Sequence, residues 1–137
     1  MSYSLFKVLH LLGVAMTVLA IGGVALHAAN GGTKENNRSR GLAAALHGAG
    51  LLIILGAGFG MLGVGGIAMD GWVHAKLTIW LLLGAAIAIA PRSPAAGKAI
   101  WFAVPLLVAL SAWLALEKPG AKPPTETSEP TPLPTQP

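Results

Sequence analysis

The sequence predicts an all-α membrane protein, a four-transmembrane-helix antiparallel bundle, and three observations carry that expectation. The chain of 137 residues is 54% hydrophobic and only 10% charged, with a mean hydropathy of +0.68, which is far from the balance of a soluble domain. Four apolar runs, each near the ~20 residues needed to cross a hydrocarbon core, are separated by short segments that hold most of the charge. Between Arg40 and Asp70 there is no charged residue at all.

The first run, residues 5–29, is longer than the roughly 7–15 residues of a signal-peptide core and no Ala-x-Ala site follows it cleanly, so it reads as a retained helix. Lys7 interrupts its start. A Gly-, Asn- and charge-rich loop leads to the second span, residues 41–63, which has a Gly-rich exit. The third span, residues 72–90, is expected to stop at Pro91-Arg92-Ser93-Pro94. The fourth, residues 99–116, contains Pro105, which should bend it, and carries Trp101 and Trp113 toward its ends in the manner of an interfacial aromatic belt. Trp72 and Trp80 read in the same way, as interface or packing residues. Residues 1–117 thus form one domain. Residues 118–137 hold Pro119, Pro123, Pro124, Pro130, Pro132, Pro134 and Pro137, and predict an extended tail with no core and no partner motif.

The formal charge of +4 comes from few residues in loops and tail, so it bears on orientation rather than on nucleic acid. The loops after the first and third spans carry Lys34, Arg38, Arg40, Arg92 and Lys98, whereas the loop after the second carries only Asp70. By the excess of positive charge these two loops lie in the cytoplasm and both termini outside, in what reads as a bacterial inner membrane. With no cysteine there is no disulfide, iron–sulfur cluster or covalent haem attachment.

Ionisable residues inside membrane helices are costly and face a bundle interior, a cofactor or a polar cavity. All four histidines, His10, His27, His47 and His74, lie in or beside apolar runs, and Lys7 and Lys76 accompany them. Haem b held by imidazoles is the sharpest chemistry this set suggests, with electron transfer as its use. His10 and His74 begin their spans on the same side and at depths differing by about 4–5 Å, so they are the preferred axial pair. His47 is a further candidate, with Gly50 three residues on clearing space. Gly13 and Thr17 extend the face of His10 with small side chains on which a flat ring could lie. Lys7 and Lys76 can meet propionates while their stems snorkel. The competing reading of His10, His47 and His74 is an interhelical hydrogen bond. His27, at a helix end beside Asn30, reads as a solvated interfacial side chain.

Gly58-Phe59-Gly60-Met61-Leu62-Gly63 matches the dinucleotide pattern G-x-G-x-x-G, but it lies in an apolar span with no preceding strand and is discarded. Gly56 and Gly60 fit G-x-x-x-G instead and, with Gly48 and Ala45, predict a close helix contact. No carboxylate or nucleophile cluster suits hydrolysis. Two further classes stay open: a cofactor-free accessory subunit of a larger membrane complex or homo-oligomer, and a small transporter or quinone-site protein.

Phe6-Lys7-Val8-Leu9-His10-Leu11-Leu12-Gly13 and Gly71-Trp72-Val73-His74-Ala75-Lys76-Leu77 together resemble the first and third helices of the small four-helix haem-associated membrane proteins that include HemJ-type protoporphyrinogen oxidase, SirB-like and CopD-like proteins. The resemblance implies haem b and, for the HemJ-type group, porphyrinogen oxidation, with a first-helix histidine and a third-helix lysine functional. By position these are His10 and Lys76, and the resemblance makes Lys76 the candidate catalytic group.

The orientation is open to direct test. A reporter fused after Leu116 is expected to show translocation out of the cytoplasm; a cytoplasmic signal would invert the assignment of both loops.

Overall fold

The computed structural model describes residues 2–121, and the expected Pro-rich tail falls mostly outside them. The chain forms α1 (Tyr3–Ala29), α2 (Arg40–Gly65), α3 (Gly71–Ile89), a 3₁₀ turn (Ala90–Arg92) and α4 (Pro94–Glu117). It is a four-helix bundle, and all four helices are long and apolar enough to cross a membrane. The starts of α1 and α3 and the ends of α2 and α4 share one end of the bundle, called here the aromatic end; the other is the basic end.

Local chemistry sets most of the boundaries. Ser2 caps α1, its hydroxyl accepting from the Leu5 amide at 3.3 Å. Gly66, in the left-handed region at φ 59°, ends α2. The α4 start differs from expectation. It begins at Pro94 rather than five residues later, because Ser93 accepts from the Ala96 amide at 3.1 Å and Pro94 supplies a preset φ at the first helical position. Lys98 therefore lies within the helix rather than in a loop. α4 also continues through Pro105.

The pattern of exposure is that of a protein solvated by lipid. Leu42, Leu52, Phe102 and Leu116 are 70–80% exposed, whereas the interior is built around Ile21, Trp72, Val73, Ile79, Leu83, Ala86, Val104 and Leu114. In water such a surface would be a large aggregation liability; in a bilayer it matches the solvent.

α1 is the central helix, with its longest interface against α2 and a second against α4. The first is backbone on backbone. A Cβ on Gly13 would lie 2.8 Å from the Gly50 carbonyl oxygen and 2.9 Å from the Ile54 nitrogen, and one on Gly50 would lie 2.8 Å from the Gly13 carbonyl oxygen and 2.5 Å from Thr17 Oγ1. Gly97 makes the equivalent approach of α4 to α1, 2.6 Å from the Ala25 carbonyl oxygen. α3 packs mainly on α4, and two side chains reach across to tie it to α2: His47 Nε2–H donates to the Leu83 carbonyl at 3.1 Å and Trp80 Nε1–H to the Leu51 carbonyl at 3.0 Å.

The expected glycine contact therefore moves. Gly48 and Gly56 face open space and Ala45 is exposed, while Gly60 packs against the Phe6 ring. Gly56 follows Ile54 by two residues, about 200° around the helix, which turns it away from the face that meets α1. Gly13 and Gly50 carry the approach instead.

Gly13→Leu and Gly50→Leu are expected to destabilise the bundle by about 1–3 kcal/mol or more through overpacking, and Gly56→Leu to stay within about 0.5 kcal/mol of the parent. Thermal unfolding of the purified protein in detergent measures this. Equal behaviour of the three variants would remove Gly13 and Gly50 from the account.

Candidate functional site at the aromatic end of the bundle

His10 lies on the packed face of α1, three residues before Gly13. Its ring rests beside Gly58 of α2, where an added Cβ would come within 3.6 Å of Cε1. Its Nδ1 is 2.9 Å from the Ile54 carbonyl oxygen. A carbonyl only accepts, so Nδ1 holds the proton and Nε2 is left with an unprotonated lone pair. That arrangement is the one metal-binding imidazoles commonly show, with one ring nitrogen donating to backbone and the other free to ligate.

Lys76 of α3 lies at the same end of the bundle as His10 of α1. Its stem is half-buried, and its ammonium stands 5.9 Å from the centroid of the Trp72 ring, one turn earlier on the same face. Trp72 is only 7% exposed, and its indole Nε1–H has no hydrogen-bond partner among the described residues. An indole N–H can only donate, so a buried orphan of this kind costs about 1–3 kcal/mol unless an acceptor arrives. No acidic residue occurs anywhere in α1, α2 or α3. The aromatic end thus holds an ammonium, an orphan indole N–H and an imidazole, with the carboxylates of that end, Asp70 and Glu117, at the start of α3 and the end of α4.

The other expected residues lie apart from this cluster. His74 is exposed, and its Nδ1–H donates to the Asp70 carbonyl at 3.1 Å in its own first turn. It follows Trp72 by two residues, about 200° around α3, so it occupies the face opposite Trp72 and Lys76. His10 and His74 share no hydrogen-bond partner. Lys7 is exposed, its ammonium 5.3 Å from the centroid of the Tyr3 ring. His47 is buried and bonded to α3, as its competing reading expected. His27 Nε2 meets Asn36 Oδ1 at 2.7 Å and the Thr33 carbonyl oxygen at 3.2 Å, and so fastens the α1–α2 loop. Among the described residues no three His, Asp or Glu side chains converge as a metal centre.

The clearances expected beside His10 and His47 are also filled. The space above Gly13 and Thr17 is occupied by the α2 backbone, and that above Gly50 by α1. Among the described residues, a space of about 540 Å³ lies between α1 and α4 beside Gly22 and Trp101, and another of about 190 Å³ lies at the basic end. Neither includes His10, Lys76 or Trp72. Trp72 is the residue that sequence reasoning passed over; its signal was the four-residue spacing of Trp72, Lys76 and Trp80, which puts them on one helical stripe.

No family model, no curated protein and no solved structure matches this chain.

Proposed function

We propose that this integral membrane protein holds haem b at the aromatic end of its bundle and uses it for electron transfer, with His10 as an axial ligand and Lys76 and Trp72 receiving a propionate. The observation that carries this reading is a buried indole donor without an acceptor among the described residues, next to an ammonium, at the same end of the bundle as a histidine whose tautomer frees Nε2. The donor set suits the group, since iron takes the imidazole nitrogen and a carboxylate satisfies both other donors. His10 and Lys76 each keep part of their surface outside the packed core, and a ring would lie against that outer surface. Bound haem supplies a one-electron carrier; the chain supplies the fixed imidazole, the positive charge and an anhydrous wall.

A second reading, porphyrinogen oxidation, rests on a first-helix histidine and a third-helix lysine at one end of the bundle. The same donors would then receive the carboxylates of a tetrapyrrole substrate, and Lys76 would serve as the catalytic group. His74, the other candidate axial ligand, ranks below His10 because it is exposed on the opposite face of α3.

The absorption spectrum of the purified protein tests this. The parent is expected to show a Soret band that His10→Ala removes or alters. Lys76→Met and Trp72→Phe should each weaken haem retention by on the order of tenfold, the scale of a hydrogen bond to a charged group. His74→Ala should stay near the parent. A parent protein that is free of haem and fails to take up added haem would overturn the proposal. Oxidation of protoporphyrinogen above the spontaneous rate would select the second reading.

A further inference from the structure

The basic end carries a site of different chemistry. There a cavity of about 190 Å³ opens between the α1–α2 loop, the start of α2 and the end of α3. Its apolar depth includes Val24 and Ile87, and its mouth is lined by Lys34, Asn37 and Arg40. Val24 lies five residues before the end of α1, about 7 Å deeper than the loop, so the cavity runs from headgroup level into the hydrocarbon.

A second observation points to an anion. The Ser39 side chain makes no capping bond, and the first turn of α2 has no acidic residue. Arg40 N–H reaches the Asn37 carbonyl and Ala43 N–H the Ser39 carbonyl, but the amides of Gly41 and Leu42 have no partner among the described residues. The Gly41 and Leu42 amides lie outside the cavity lining, where two cations and apolar walls coincide. We infer that this cavity binds the phosphodiester of an anionic phospholipid, with Lys34 and Arg40 on the phosphate and an acyl chain entering along Val24 and Ile87.

One carboxylate competes. Glu35 is fully exposed, and its carboxyl is held below the usual range by a hydrogen bond with Thr33, then by its own backbone amide and by the charges of Arg40 and Lys34. It is therefore ionised at neutral pH and offsets part of the positive potential at the mouth.

Native mass spectrometry of the detergent-purified full chain, incubated with dioleoylphosphatidylglycerol or dioleoylphosphatidylcholine, tests the site. Phosphatidylglycerol is expected to be retained in preference to phosphatidylcholine. The double variant Lys34→Gln/Arg40→Gln should reduce its retention by on the order of tenfold or more. Arg38→Gln removes the same kind of charge from an exposed position outside the cavity and should change retention little, while Glu35→Gln should increase it. Helical circular dichroism and monodisperse elution verify that each variant is folded. Equal retention of the two lipids, or equal loss from Arg38→Gln and the double variant, would overturn the inference. Displacement of phosphatidylglycerol by excess inorganic phosphate would assign the site to the free anion and overturn the lipid assignment.

Discussion

The rest of the bundle depends on the crossing of α1 and α2, where two glycines let main chain approach main chain. In a bilayer there is no hydrophobic gain from bringing helices together, so close packing and interhelical polar contacts must supply the association. Gly13 and Gly50 permit the close packing, and the polar contact follows from the same register. His10 precedes Gly13 by one turn on α1, and Ile54 follows Gly50 by one turn on α2, so the crossing delivers a carbonyl to the imidazole. A side chain at either glycine would separate the helices and withdraw that acceptor. The tautomer of His10 is thus set by a contact one turn away.

Polar groups in this interior fall into two kinds. His47 and Trp80 each donate to a carbonyl of a neighbouring helix, using the second lone pair that a helical carbonyl retains. These contacts close the bundle and leave little for chemistry. Thr17 Oγ1 and Trp72 Nε1 are buried without partners. Thr17 is wedged at the glycine crossing, where α2 fills the space around it. Trp72 stands beside Lys76 at the end of the bundle that also holds His10. The basic end has the opposite character, with exposed cations around an apolar cavity at headgroup depth.

The four spans were legible because hydropathy and charge gaps mark them directly, and Gly66 and Asp70 punctuate the turn between α2 and α3. The early start of α4 was also written in the chain, as Ser93 followed by Pro94, but the Pro91 break masked it. Glycine content predicted a close contact, and Gly60 does meet the Phe6 ring of α1 while Gly56 faces open space, since G-x-x-x-G spacing does not say where a partner lies. That choice is made by the neighbouring helix. Equal depth drew His10 and His74 together, whereas rotation about α3 sets His74 opposite Lys76. Depth follows from counting residues; azimuth needs the packed neighbour. The role of Trp72 was hidden for a related reason, because an orphaned donor exists only once its surroundings are known.

The central claim is that His10 is held with its proton on Nδ1 and its Nε2 free, and nitrogen-15 magnetic resonance of the histidine-labelled apoprotein in bilayers measures this directly. The His10 signals, assigned by their loss in His10→Gln, are expected to show a protonated Nδ1 and an unprotonated Nε2, and the pattern should be lost when Gly50→Leu forces the helices apart. A His10 protonated on Nε2, or one exchanging between tautomers as a solvated imidazole does, would contradict the account.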